Sequence, residues 1–142
     1  MAKKEPKTFV FYVREPARGP NITDPDLIYE RMKDLGQADQ ESFWIIGLNN
    51  KNREIFCELI SLGISNKSLV EPLLVFKRLL SKGASAYICC HNHPSGDPKP
   101  SQDDIAITNQ LRRGGDVLGI KLLDHIIIGD GDFCSLLRKG LI

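Results

Sequence analysis

Two histidines, a serine and an aspartate are grouped in one short segment of the sequence. His91 and His93 are separated by one residue, and Ser101 and Asp104 follow after a stretch that contains three prolines and one glycine. An apolar run directly before His91 predicts a strand, in which side chains two positions apart point to the same face. Two imidazoles at one strand end can bind one metal ion, since imidazole nitrogens bind Zn²⁺ at about 2.0–2.1 Å.

Asp104 adds an oxygen to the two imidazole nitrogens. A helix that begins at Ser101 places position 104 one turn further on the same face, and the stiff loop can return that turn to the strand end. Two nitrogens and one oxygen leave a fourth position open, which is typical of a catalytic zinc site, and the pKa of a water there falls towards about 7. The sequence therefore predicts one zinc ion per chain, held by His91, His93 and Asp104.

Ordinary structural roles compete with this interpretation. The run from Ser101 to Asp104 is close to a plain helix-capping sequence, and a histidine pair at a strand end can be solvated or packed in a core. Capping and metal binding are compatible for the helix, but we expect them to compete for the Ser101 hydroxyl. Cys89, on the predicted face of the histidines, is expected to be a small buried apolar residue. His125 is expected to be either structural or a residue that orients a ligand.

Hydrophobic patterns around this segment predict the elements that carry it. The predicted strands cover residues 42–48, 53–62, 84–90, 120–128 and 133–137, and the predicted helices cover residues 25–33, 72–82 and 101–113. We expect the third helix to end at Gly114-Gly115. The order of hairpin, helix, strand, helix and hairpin lacks strict β-α-β alternation, so it favours an α/β or α+β fold with a mixed central sheet flanked by helices.

Composition limits the class of protein. The 142 residues fit one domain, with residues 1–21 as a flexible N-terminal segment and residues 22–142 as the folded part. Nineteen basic residues against eighteen acidic ones give a net charge of +1, too even for a dedicated nucleic-acid binder. Four cysteines without a C-x-x-C pair, and no apparent signal peptide or membrane span, favour a reduced, cytoplasmic protein with no membrane partner.

The segment around the histidines resembles a known family. The run His-Asn-His-Pro-Ser-Gly-Asp-Pro-Lys-Pro-Ser-Gln-Asp-Asp at 91–104, with Thr108 after it and Asp-His-Ile-Ile-Ile-Gly at 124–129, is similar to the RadC-like branch of the MPN/JAB (JAMM) zinc metalloprotease superfamily. The resemblance covers roughly residue 24 to the C-terminus, so it implies that residues 22–142 form an MPN/JAB domain with a cytidine-deaminase-like fold. It also implies a hydrolase that uses a zinc-activated water to cleave a peptide or isopeptide bond, with His91, His93 and Asp104 as ligands.

The resemblance implies two further catalytic residues. Ser101 would donate a hydrogen bond to the oxyanion that forms when water adds to the carbonyl. A glutamate before the histidines would act as the general base, and four of them precede the histidines: Glu41, Glu54, Glu58 and Glu71. Spacing does not select one, but the family pattern places the acid just before the first core strand. This favours Glu41, with Glu71 as second choice and an exposed acid at a strand start as the structural alternative.

Two kinds of function follow from the resemblance. The first is a zinc metallopeptidase with a peptide or protein substrate. The alternative is a non-peptidase module associated with DNA repair or recombination. RadC-like chains often carry an N-terminal helix-hairpin-helix region that contacts DNA, and the first 20 residues are too short for it. This and the near-neutral charge favour the hydrolase, and the sequence specifies neither the substrate nor the oligomeric state.

Overall fold

A computed structural model describes residues 22–63 and 70–142. The predicted flexible segment, residues 1–21, lies outside this part of the chain. The strands are β1 (Glu41–Leu48), β2 (Glu54–Gly63), β3 (Ala86–Asn92), β4 (Lys121–Ile128) and β5 (Phe133–Ser135). The helices are α1 (Pro25–Met32), α2 (Pro72–Lys82) and α3 (Gln102–Leu118), and a 3-10 turn (Lys33–Gln37) follows α1.

The five strands form one mixed sheet in the order β2-β1-β3-β4-β5. The β3–β4 pair is parallel and is joined through α3, whereas the other three neighbouring pairs are antiparallel. The predicted fold class, α/β with a mixed central sheet flanked by helices, is confirmed. All seven residues of β3 are buried, because helices cover both faces of the sheet at its centre.

Two hydrophobic clusters hold the layers together. On one face, Phe43 packs with Leu79 of α2 and Leu111 of α3. On the other face, Ile28 of α1 packs with Ile88 of β3. Because successive residues of β3 alternate between these faces, the side chains at its C-terminal end lie on opposite sides of the sheet.

Helix α3 continues to Leu118, so the prediction that it ends at Gly114-Gly115 is wrong. A Cβ on Gly114 would lie 2.7 Å from the Phe76 ring, and a Cβ on Gly115 would lie 2.2 Å from the carbonyl oxygen of Ile120. The two glycines therefore allow close approach of neighbouring elements. The helix ends at Gly119, whose φ of 74° is the left-handed conformation that glycine adopts without strain.

Strand β5 is shorter than predicted, ending at Ser135 instead of residue 137. The buried carboxylate of Asp124 accepts hydrogen bonds from the Ser135 hydroxyl at 2.6 Å and from the Leu137 amide at 3.0 Å. These contacts turn the chain away from the sheet, which the apolar pattern of the segment does not reveal.

Cys57, Cys89, Cys90 and Cys134 are free, as expected for reduced thiols. Cys89 is buried in the core, and burial raises its pKa well above the ordinary thiol value. Within residues 22–63 and 70–142, no helix has the length and apolar character needed to cross a membrane.

Candidate metal centre

The two histidines lie at the C-terminal end of β3, which extends two residues further than predicted. His91 is paired with Phe43 of β1, is fully buried, and stacks on the Phe43 ring with centroids 5.8 Å apart. His93 follows the strand, and its amide donates to the carbonyl oxygen of Ile128 at 2.9 Å. Both imidazoles therefore extend from backbone that the sheet holds in place.

Three potential metal-binding side chains converge there. His91 Nε2 lies 3.1 Å from His93 Nε2 and 3.2 Å from Asp104 Oδ1, and His93 Nε2 lies 2.9 Å from Asp104 Oδ2. A tetrahedral zinc ion with bonds of about 2.0–2.1 Å separates its ligand atoms by about 3.3 Å. The three separations are close to that value, although the two to Asp104 end on different oxygens of its carboxylate, so both imidazoles and this carboxylate face one place that suits a small cation.

Asp104 is positioned by the start of α3. The Asp104 amide donates to Ser101 Oγ at 3.0 Å, and the Ser101 amide donates to Asp104 Oδ2 at 2.8 Å, which together form a capping box. The expected competition for the Ser101 hydroxyl does not arise. The oxygen of that hydroxyl accepts in the cap, so its own proton stays available for another acceptor.

Glu41 lies beside the histidines at the start of β1. Its Oε1 is 3.8 Å from His91 Nε2, and the ligand atoms of Glu41, His91 and His93 all lie within 4.8 Å of one another, a group that could hold a metal ion. Asp104 is nearer to both histidines and its side chain is only 7% exposed, against 33% for Glu41. Asp104 therefore fits a ligand position better, and Glu41 fits the open side. Glu71, the other candidate, is exposed before α2.

The proline-rich loop orients His93. His93 Nδ1 donates to the carbonyl oxygen of Asp97 at 2.8 Å. The loop is anchored on the β4–β5 turn, because the Asp130 amide donates to the carbonyl oxygen of Gly96 at 2.9 Å. Gly129 allows this close approach, since a Cβ there would lie 2.4 Å from that carbonyl oxygen.

A buried hydrogen-bond chain orients His91. The Thr108 hydroxyl donates to the carbonyl oxygen of Asp104 at 2.6 Å, so its oxygen accepts from His125 Nδ1 at 2.6 Å. Burial lowers the pKa of His125 well below its ordinary value, so His125 is neutral and its Nε2 accepts. His91 Nδ1, 2.7 Å away, must then carry the proton and donate it. The chain therefore leaves His91 Nε2 with a free lone pair.

The positions of the imidazole protons decide whether the two histidines can bind a metal ion. His93 Nδ1 carries a proton, since a carbonyl oxygen only accepts, and neutral His93 therefore also has a lone pair on Nε2. Two imidazole lone pairs and the Asp104 carboxylate then face one another within 3.2 Å. Such a group of acceptors is favourable only with a cation or a proton at its centre. The donor set of two nitrogens and one oxygen suits zinc.

His93 and Asp104 shift each other's pKa. The hydrogen bond with Asp104 raises the pKa of His93, and burial only partly opposes it. Burial also raises the pKa of Asp104, but the neighbouring imidazoles of His91 and His93 and the hydrogen bond from the Ser101 amide outweigh it and hold that pKa well below its ordinary range. A metal ion at this site therefore competes with a proton for His93 Nε2.

Thr108 and His125 also belong to the site, although the sequence assigned no role to Thr108 and left the role of His125 undecided. Thr108 lies four residues after Asp104 and hence on the same helix face, which is a usable signal. His125 reaches His91 because β3 and β4 are parallel and pair Cys89 with His125. That register depends on the long α3 crossover and has no local signature.

Most of the chain matches one protein family. Residues 22–141 match the model of a RadC-like JAB domain. The chain is 46% identical over 121 residues to UPF0758 protein TTE0897 of Caldanaerobacter subterraneus, an alignment that covers 84% of this chain and 52% of that protein. It is 42% identical over 132 residues to UPF0758 protein YsxA of Bacillus subtilis, covering 93% of this chain and 54% of that protein.

These relatives are longer proteins. The chain spans about half the length of the curated relatives that it matches. The residues that match the family model, 22–141, include the candidate metal ligands and the whole sheet.

Proposed function

The chain belongs to the RadC-like JAB domain family, and from that premise we propose that it is a single-zinc hydrolase of the JAMM metallopeptidase type. His91, His93 and Asp104 would hold one Zn²⁺. The substrate would be a peptide or isopeptide bond of a peptide or protein. The observation that carries this proposal is the convergence of two imidazole lone pairs and a buried carboxylate within 3.2 Å, with a second carboxylate 3.8 Å away on the more exposed side.

When bound, the ion would act as a Lewis acid that makes water acidic enough to lose a proton near neutral pH. Glu41 would accept that proton at Oε1 as the water oxygen adds to the amide carbonyl carbon. It would then deliver the proton to the amine nitrogen as the carbon–nitrogen bond breaks. The Ser101 hydroxyl, whose proton is not used by the helix cap, would donate to the oxyanion that forms on the carbonyl.

Two glutamate variants test this assignment. Glu41→Gln is nearly isosteric, so it should keep zinc while hydrolysis of a fluorogenic peptide and isopeptide panel falls by about 10²–10⁴-fold. Glu71→Gln, an exposed glutamate before α2, is the matched control and should retain both properties.

Two results would count against the proposal. Loss of zinc in Glu41→Gln would make Glu41 a ligand. Unchanged hydrolysis in Glu41→Gln would place the base elsewhere. Addition of a chelator to the wild-type protein should abolish hydrolysis, and zinc should restore it.

A further inference from the structure

Asn92 is a buried polar residue between the two histidines, and its side chain lies on the sheet face opposite His91. It is fully buried and makes three hydrogen bonds. Its Oδ1 accepts from the Ser42 amide at 2.8 Å and from the Ser42 hydroxyl at 2.9 Å. Its Nδ2 donates to the carbonyl oxygen of Gln40 at 3.0 Å. Asn92 therefore binds the residues on both sides of Glu41.

These bonds form where the ladder between β1 and β3 stops. The last pair of the ladder is Phe43 with His91, and the continued register would place Ser42 opposite Asn92 and Glu41 opposite His93. The side-chain amide of Asn92 has a carbonyl and an N–H group like a peptide unit, and it makes the connection that the backbone ladder no longer makes. The two strands remain tied at the metal end even though their ladder has ended.

On its other side, the start of β1 pairs with β2, through Glu41–Gly63 and Ser42–Leu62. That pairing fixes β1 within the sheet but makes no connection to the histidines of β3. The ladder pair of Phe43 with His91 lies two residues from Glu41, whereas the Asn92 side chain bonds the two residues that directly flank Glu41.

We propose that Asn92 is a positioning residue that sets the distance between Glu41 and the metal ligands. It acts through the backbone of Gln40 and Ser42, and it holds Glu41 Oε1 at 3.8 Å from His91 Nε2. The inference rests on the proposed function only for the role of Glu41 as the base. The placement of Glu41 itself can be measured without any substrate.

The test is a pair of crystal structures, of wild type and Asn92→Ala, both loaded with zinc. We expect zinc and both histidines to stay in place while the Glu41 carboxylate moves away from His91 Nε2 by more than about 1 Å. A misplacement of about 1 Å can cost on the order of 10²-fold in rate, so kcat should fall about that much with KM nearly unchanged. Adding Glu41→Gln to Asn92→Ala should give no slower an enzyme than Glu41→Gln alone.

Asn49→Ala is the matched control. Asn49 follows the opposite end of β1, and its Oδ1 accepts from the amides of Lys51 and Arg53 at 2.9 and 3.0 Å. Its loss removes asparagine-to-backbone bonds from the same hairpin, so it should lower stability but leave Glu41 and kcat unchanged. If Asn92→Ala does not fold, Asn92→Asp can replace it, because it keeps the acceptor for both bonds to Ser42 and replaces the donor to Gln40 with a carboxylate oxygen that repels the Gln40 carbonyl.

The outcomes separate this inference from the proposed function. If Glu41 keeps its 3.8 Å separation from His91 in the Asn92 variant, the positioning role is refuted, whether or not the protein hydrolyses amides. If Glu41 moves and the zinc-loaded wild type has no hydrolytic activity, the positioning role stands and the proposed hydrolase function fails.

Discussion

Replacing Thr108 with valine tests whether the buried chain behind His91 controls metal binding. Valine has nearly the shape of threonine and a similar helix propensity, so the change removes one hydroxyl and little else. That hydroxyl makes two hydrogen bonds of 2.6 Å, one donated to Asp104 and one accepted from His125. Both Thr108 and His125 are fully buried, so water cannot replace the lost partner.

The loss of the hydroxyl has one of two consequences, depending on which ring nitrogen of His125 carries the proton. If His125 keeps its proton on Nδ1, a buried donor is left unsatisfied, which costs about 1–3 kcal/mol of folding free energy. If the proton moves to Nε2, His125 donates to His91, and the proton of His91 moves to Nε2, where it faces Asp104. That tautomer blocks the nitrogen that zinc needs. Loss of such an orienting partner lowers metal affinity by about 10–100-fold.

Zinc affinity can be measured by competition with a chromophoric chelator, and stability by urea unfolding of the metal-free protein. Thr108→Ser keeps the hydroxyl and is the matched control, so it should bind zinc nearly as tightly as the wild type. Equal zinc affinities of Thr108→Val and Thr108→Ser would refute the reasoning, because they would show that the tautomer of His91 does not depend on the chain.

Three further predictions concern the same centre. Ser101→Ala should retain zinc, lose about 1 kcal/mol of stability with the helix cap and slow hydrolysis by about 10²–10³-fold, so hydrolysis at the wild-type rate would exclude the oxyanion role. Gly129→Ala should weaken zinc binding, because its Cβ would meet a backbone carbonyl of the proline-rich loop at 2.4 Å. Gly131→Ala is the control and should leave zinc binding unchanged, because its Cβ would touch nothing within 4 Å, although Gly131 has a φ of 72°. The raised pKa of His93 beside Asp104 predicts a zinc affinity that rises about tenfold per pH unit up to that pKa and then levels off. In the metal-free protein the same group contributes stability that is complete below its unfolded pKa of about 6.5 and is lost as pH rises through the higher folded pKa, which urea titrations at several pH values would measure.

Local sequence patterns predicted most of the fold. The alternation and helical periodicity of apolar residues gave the strands and helices in the right order, because each of these elements buries a face of its own. The pattern failed where the environment of a residue comes from distant parts of the chain. Gly114 looks like a helix end, but it lies inside α3 because the ring of Phe76 needs the space.

For the candidate site, the sequence likewise predicted the residues that are close along the chain but not those that strand pairing brings in. His91, His93 and Asp104 are close in sequence and linked by a stiff loop, so their convergence could be expected. The positions of Asn92 and His125 depend on strand pairings across the sheet, which the sequence does not specify. The peptide or protein substrate, the DNA-associated alternative and the cytoplasmic location remain predictions.

The metal content of the purified protein tests the central claim most directly. Wild type, Asp104→Ala and Asp103→Ala would be supplied with zinc, freed of loosely bound metal and analysed by mass spectrometry. Asp103 is the exposed neighbour of the buried Asp104, so its replacement is the matched control. We predict about one zinc per chain in wild type and Asp103→Ala and none in Asp104→Ala. A wild-type protein without zinc, or an Asp104→Ala variant that holds as much zinc as the wild type, would contradict the proposed metal centre.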